Sequence, residues 1–226
     1  MDTRWATSPG IALMGADAPS RVTAWARAAE GAGLGSVWII EDYFHPGAYA
    51  LAAAAAAVTE RLAIGLGVVN PYTRHPALLA METAALAGIA PGRVVLGLGS
   101  SNRRWIEAQM GIPFKAPLGG LRECVEIVRR LLAGERVTFR GEVFTLDDVE
   151  LEWRPPEAVP VLLGVKGPKA LRLAGEIADG VHCAVLASPG HVRRVRQIAG
   201  AGRPRFIVLA YVIMAVGHDG QRARAA

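Results

Sequence analysis

Apolar residues arrive along this chain in short runs, each closed by glycine, proline or charged residues. The runs are Ile11–Met14, Val37–Ile40, Leu62–Val68, Val94–Leu98, Val161–Leu163, Val181–Val185 and Phe206–Val216. Runs of this length bounded by turn residues suit strands buried on both faces, as in a parallel sheet. Between them the apolar positions recur at helical spacing. Ser20 is the expected N-cap of a helix whose Val22, Trp25, Ala26 and Ala29 face inward, with Gly33 as its stop. An alanine-rich helix follows over residues 48–58, its small side chains suited to close packing on a sheet. Pro76 opens a helix with Leu78, Leu79, Ala85, Leu86 and Ile89 on one face, interrupted by Glu82, and Pro91-Gly92 ends it. Leu118, Leu121, Val125, Val128 and Leu132 mark an amphipathic helix ending at Gly134. Pro168 starts another, with Leu171, Ala174 and Ala178 inward, and Ser188-Pro189 caps one carrying Val192, Val195 and Ile198.

This strand-then-helix rhythm argues for an α/β fold of the TIM, or (β/α)8, barrel type, with a doubly wound open sheet as the alternative. One stretch breaks it. Val137, Phe139, Val143 and Leu146 alternate around Arg140-Gly141-Glu142, which predicts a β-hairpin inserted at about residues 135–158 of a single domain spanning 1–226. A full barrel takes about 250 residues. This chain has 226 and stops inside the helix that Asp219-Gly220 opens, so strand eight is expected to be missing. The first and last strands then keep unpaired edges, which leaves room for a homodimer.

Composition narrows the function classes. Hydrophobic residues make up 52% and charged residues 20%, as in a globular protein. The net charge of +5 suggests nucleic acid at first sight. Yet the arginines are dispersed among glutamates, and Arg193, Arg194 and Arg196 lie on the polar side of a predicted helix, so no nucleic-acid partner is expected. Cys124 and Cys183 lack metal spacing and read as small core residues in a reducing compartment. The N-terminus has no apolar signal core, and Ile207–Val216 is too short to span a bilayer. A cytoplasmic protein with no membrane and no metal is expected.

Candidate chemistry gathers at the strand exits. Gly65 and Gly67 in the third run, and Gly97 and Gly99 in the fourth, remove side chains where the strands leave the sheet. Strand glycines permit a bulge or the close approach of a ligand, and ligands of parallel α/β folds bind at the strands' carboxyl ends. The pair favours a flat or phosphorylated ligand. After the second run, Glu41 and Asp42 are candidate acids, or else solvated or helix-capping carboxylates. His45 and His75 read as proton shuttles or as hydrogen-bonded loop residues. Tyr43, Phe44, Tyr72 and Trp105 line a pocket or pack its rim. Arg74 binds an anion or pairs with a helix carboxylate, and His182 reads as a satisfied core or rim residue. No nucleophile-elbow or Walker motif is present.

Several segments together resemble the luciferase-like flavin or deazaflavin oxidoreductases, the bacterial luciferase superfamily. They are Val37–Tyr43, Gly67–Pro76, Gly92–Gly99, Met110–Pro113, Gly167-Pro168-Lys169 and Ala174–Gly180. The likeness runs over essentially the whole chain and is nearest to the deazaflavin-dependent branch, which includes methylenetetrahydromethanopterin reductase. It implies a TIM barrel with a planar cofactor across the strand C-termini. Gly67-Val68 would form a bulge with a non-proline cis peptide behind the ring, and Asn70 would lie near the ring. Gly97, Gly99 and Ser100, with Gly164, Lys166 and Gly167, would approach the tail and phosphates through backbone N–H groups and helix N-termini, with Lys166 or Lys169 adding charge. The implied activity is hydride transfer between a small organic substrate and coenzyme F420. An FMN-dependent monooxygenase and a non-catalytic flavin-binding barrel remnant are the alternatives. Asp42, His45 and Glu41 would serve catalysis, and Tyr43, Tyr72 and His75 the substrate pocket. The chain departs from the family where relatives place an acid followed by histidine, since it has Glu41-Asp42. The reductases' strand-one glutamate is replaced by Ala12, and Ser100–Arg104 offers no carboxylate. The cofactor frame is kept better than any one substrate's acid.

Overall fold

Each of the seven apolar runs becomes a strand of one parallel sheet in the computed structural model, which describes residues 4–15, 17–215, 217 and 219–221. The strands are β1 (Gly10–Leu13), β2 (Ser36–Ile39), β3 (Ala63–Val69) and β4 (Val94–Leu98) in the first half of the chain. The hairpin strands β5 (Val137–Arg140) and β6 (Thr145–Val149) form a separate antiparallel sheet. The main sheet resumes with β7 (Val161–Leu163), β8 (Gly180–Cys183) and β9 (Ile207–Ala210), in the spatial order β1-β2-β3-β4-β7-β8-β9. Around it lie α1 (Val22–Gly31), α2 (Ala48–Ala57), α3 (Pro76–Ile89), α4 (Pro117–Leu132), α5 (Pro168–Ile177) and α6 (Pro189–Ile198). The sheet is a curled, open barrel. No helix among the described residues is long and apolar enough to cross a membrane.

Side-chain alternation along the strands makes two cores. Val37, Ile39, Ile64, Leu66, Leu96 and Leu98 point outward under the helices and are fully buried. The inward positions carry Trp38, Ala63, Val95 and Leu162, packed with Trp5. Trp38 is too large to share the barrel with side chains opposite. A Cβ on Gly65 would lie 2.3 Å from its ring, so the glycine at this point of β3 is a seat for the indole.

Three expectations are corrected. Ser20 caps nothing: a 3-10 turn over Pro19–Arg21 precedes α1, and its N-cap residue, Ala18, makes no side-chain cap bond. In α3 the buried face is Leu79, Ala80, Thr83, Ala84, Leu86 and Ala87, while Leu78 and Ile89 are exposed. Small residues let the helix lie closer to the sheet, and the Tyr49 hydroxyl meets Thr83 Oγ1 at 2.9 Å, so the helix is rotated from the face its larger residues predict. The last run pairs only over Ile207–Ala210. Val216 and most of the helix expected from Asp219-Gly220 lie outside the described residues.

Two features flank the site. Between β1 and β9 the barrel is open, with a cavity of about 310 Å³ lined by Gly10–Ala12, Ile207–Tyr211, Trp5 and Trp38. The hairpin is tied to α4 through Glu123, whose carboxylate accepts the backbone N–H groups of Glu142, Val143 and Phe144 at the hairpin turn.

Candidate active site

At the exit of β3 the register against β4 shifts by one residue between Leu66 and Val69, which marks a bulge at Gly67-Val68. The Gly67-Val68 peptide bond is cis, as the resemblance implies, and Tyr43-Phe44 is a second non-proline cis bond. The Val68 side chain enters a socket made by three glycines. A Cβ on Gly97 would lie 2.2 Å from the Leu66 carbonyl oxygen and 3.0 Å from Val68 Cγ1. One on Gly99 would meet Val68 Cγ2 at 2.7 Å, and one on Gly164 would meet the same valine at 3.1 Å. The glycines at the exits of β4 and β7 therefore hold the bulge in place. Gly97 and Gly99 face Val68 and are not among the residues lining the cleft.

The bulge floors a cleft of about 260 Å³ at the carboxyl ends of the strands. Met14, Ile40, Val68, Val165 and Val185 make its walls largely apolar. Its polar groups are Asp42, Lys166, His182 and Tyr211. His182 is buried and stacks on Trp38 with ring centroids 5.6 Å apart, and Tyr211 sits edge-on to it at 4.4 Å. The Tyr211 hydroxyl reaches the Gly67 carbonyl at 3.5 Å. Burial, with the nearby Asp42 charge, pushes the Tyr211 phenol well above its ordinary range, so it stays a neutral donor. His182 Nε2 is buried without a hydrogen-bond partner.

The sequence candidates separate into two groups. Asp42, Gly67, Val68, Gly164 and Lys166 line the cleft. Glu41 turns away from it. Its Oε1 takes the Arg74 guanidinium at 2.5 Å and its Oε2 accepts the Ala48 N–H at the start of α2, at 3.0 Å. Adjacent acids diverge here: Glu41 caps α2 and pairs with Arg74, while Asp42 lines the cleft. Arg74 also lies 3.1 Å from Glu82 of α3, which is the helix-carboxylate reading of that residue. Asn70 is buried, and its Oδ1 accepts the N–H groups of Tyr72 and Thr73, so it shapes the turn after the bulge. Tyr72 and His75 lie under the hairpin. The Tyr72 hydroxyl donates to the Lys115 carbonyl at 2.5 Å, and His75 Nδ1 accepts the Ala77 N–H at the start of α3. Both rings pack on Phe144. Burial pushes the His75 imidazole below its ordinary pKa. Tyr43 bonds Thr73 and packs on Trp105 at the rim, while His45 is exposed and packs over Gly15. Ser100 lies outside the cleft, and Gly167 is the N-cap residue of α5. Among the described residues no group of side chains is arranged to hold a metal ion.

The model of the luciferase-like monooxygenase family matches residues 2–226. The chain belongs to the luciferase-like monooxygenase family. A methylenetetrahydromethanopterin reductase of Methanolobus tindarius is 34% identical over 96% of this chain and 68% of that protein. An F420-dependent glucose-6-phosphate dehydrogenase of Beutenbergia cavernae is 39% identical over 74% of this chain and 53% of that protein. The solved structure of the coenzyme F420-dependent tetrahydromethanopterin reductase of Methanopyrus kandleri superposes with a TM-score of 0.85 at 29% identity, over 96% of this chain and 68% of that one. The chain thus spans about half to two thirds of the length of these proteins.

In this luciferase-like barrel, sequence reasoning missed two of the cleft's polar groups, His182 and Tyr211. Tyr211 continues the inward alternation of Ile207 and Leu209, and that period of two was the available signal. His182 was expected to be satisfied, and its bare Nε2 corrects that. Desolvation lowers its pKa to about 4 from 6.5. The unfolded chain therefore binds the proton first on acidification. Stability from a neutral His182 is fully present above pH 6.5 and is lost as pH falls towards about 4. The loss is at most about 3 kcal/mol. His182→Phe is expected to flatten this part of the stability profile. Urea midpoints of both proteins at pH 4.5 and 7 check it, and parallel profiles would refute it.

Proposed function

We propose that this luciferase-like chain is an oxidoreductase that passes a hydride between a small organic substrate and the deazaflavin coenzyme F420. The observation that carries the reading is the glycine-seated Gly67-Val68 bulge at the floor of the cleft, in a chain 39% identical to a protein named for its F420 dependence. The cleft fits a flat ring. Gly67 presents no side chain to it, and the walls are largely apolar around Asp42, Lys166, His182 and Tyr211. The deazaflavin, when bound, supplies the hydride chemistry, while the protein supplies orientation and electrostatics. Gly67 and Val68 would back the ring, and Gly164 and Lys166 would hold its edge. Asp42, the one carboxylate among the residues lining the cleft, would take or give a proton at the substrate heteroatom. The two unbridged, buried cysteines support a cytoplasmic setting.

The family description names a monooxygenase, which supports a second reading, oxygen chemistry with FMN as the cofactor. Parallel titration with F420 and FMN, read by absorbance, decides between them. Binding of F420 alone supports the proposal. Binding of FMN alone moves the function to oxygen chemistry, and binding of neither refutes both. Asp42→Asn is expected to lower turnover about 10²-fold with the cofactor affinity unchanged. An unchanged rate would remove Asp42 from the chemistry.

A further inference from the structure

Among the described residues, five buried side-chain atoms have no hydrogen-bond partner. Glu82 Oε2 and Arg129 Nε belong to groups already held in ion pairs. Trp5 Nε1 and Ser101 Oγ are on residues that do not line the ring cleft. His182 Nε2 is the one that belongs to a cleft residue. His182 is 5% exposed, so bulk water does not stand in for the missing partner. A bare buried polar group is costly, and beside a cleft the ligand is the group able to relieve that cost. The imidazole is also fixed in place. Trp38 stacks on it with 17° between the planes, and Tyr211 meets it edge-on at 83°. A Cβ on Gly67 would lie 3.1 Å from His182 Cε1 and 2.2 Å from the Tyr211 hydroxyl. Gly67 therefore leaves room behind the bulge for two polar groups, an imidazole edge and a phenol. A half-turn of the imidazole exchanges Nε2 and Cε1 within the same outline, so the socket accepts a nitrogen on the Gly67 side.

Met14, Ile40, Val68, Val165 and Val185 line the rest of the cleft, with Asp42 and Lys166 as its charged groups. A paired polar spot in a largely apolar wall suits a ring edge with one polar substituent. It does not suit the pyrimidine edge of a flavin, where carbonyl and N–H groups alternate and each needs its own partner. The opposite edge is where the two candidate cofactors differ. The deazaflavin ring of F420 carries a hydroxyl there, and the FMN ring carries methyl groups. Burial lowers the His182 pKa to about 4, so the imidazole is neutral at pH 7 and one nitrogen keeps a lone pair. A hydroxyl both donates and accepts, so it can satisfy this nitrogen and the Tyr211 phenol together. A methyl group would leave both bare.

We propose that His182, with Tyr211 beside it, selects a hydroxyl-bearing deazaflavin ring over a methylated flavin ring by accepting the hydrogen bond of the ring hydroxyl. This rests on the F420 reading above and names the residue that makes the choice. A site built around a hydroxyl rejects the analogue lacking it, because its own polar groups are then left unpaired. The natural chain is expected to bind the hydroxylated ring about ten- to hundredfold more tightly than the same ring with hydrogen in that place.

The test is a fluorescence titration of the full chain with two compounds, the tail-less hydroxylated deazaflavin chromophore and its analogue with hydrogen in place of the hydroxyl. His182→Phe, which keeps a flat ring against Trp38, is run beside it, with circular dichroism to show that both proteins are folded. A preference for the hydroxyl in the natural chain that shrinks to within about threefold in His182→Phe supports the assignment. Equal affinity of the natural chain for both compounds overturns it and leaves the ring site standing. A variant that keeps the full preference, or that loses both compounds equally, also overturns it, the latter because His182 would then serve the shape of the cleft alone. If His182→Phe does not fold, the natural chain carrying nitrogen-15 histidine decides. A His182 ring-nitrogen resonance that moves with the hydroxylated compound and not with its analogue supports the proposal, and equal shifts overturn it. Failure of both compounds and of F420 itself to bind the folded natural chain overturns the F420 reading, and this inference with it.

Discussion

Glu41→Ala is expected to destabilise the protein by about 3–5 kcal/mol, the cost of leaving a buried ion pair with one partner. The glutamate side chain is 5% exposed. One oxygen holds Arg74 and the other caps α2 at Ala48. Arg74 is itself half-buried, with its guanidinium over the Tyr49 ring at 5.5 Å. Burial alone would lower its pKa, and the hydrogen bond and charge of Glu41 more than offset that, so the guanidinium is held above its ordinary value. Without Glu41 the cation keeps only the more exposed Glu82. A loss of 3 kcal/mol corresponds to a fall in Tm of roughly 6–12 °C for a chain of this size. Glu41→Gln keeps an acceptor for the Ala48 N–H and should lose less. Thermal unfolding of both variants beside Asp42→Asn checks the assignment. If Asp42→Asn proved the more damaging to Tm, the division of roles between the two acids would be reversed.

Gly97→Ala is expected to disturb the ring site from behind. The new methyl would meet the Leu66 carbonyl oxygen at 2.2 Å, and backbone does not yield as a flexible side chain does. Either β3 moves or the bulge does. Overpacking of this kind costs about 1–3 kcal/mol. Because Val68 Cγ1 is the next atom in the path, the floor of the cleft shifts and cofactor affinity should fall about tenfold or more. Gly31→Ala is the control. It lies at the end of α1 with nothing within 4 Å of the added carbon, so it should leave stability unchanged or slightly raised. A Gly97→Ala protein with the natural Tm and natural cofactor affinity would show that the socket does not hold the bulge.

Both cases show where local reading stops. The runs Val94–Leu98 and Val161–Leu163 became β4 and β7 residue for residue, and Ser188 caps α6 through the His191 N–H. These outcomes depend on neighbours a few residues apart, which a sequence displays directly. The hairpin was legible for the same reason, since alternation and a glycine turn are local properties. By contrast, Glu41 and Asp42 are adjacent and chemically alike. Only the position of Arg74, which is 33 residues away, and of the first turn of α2 decides which of them is turned out of the cleft.

The order of strands and helices, the barrel class, the hairpin and the concentration of glycines at strand exits were determined by the sequence alone. Hydrophobic runs and turn residues act over short range and leave few topologies open. What the glycines are for was decided by the tertiary structure. Gly65 answers Trp38, and Gly97, Gly99 and Gly164 answer Val68, through contacts between strands that the chain reaches only after long separations. The rotation of α3 and the recruitment of His182 and Tyr211 to the cleft have the same cause. Close packing selects among faces and rotamers by the shape of what lies opposite, and that shape exists only once the barrel has formed.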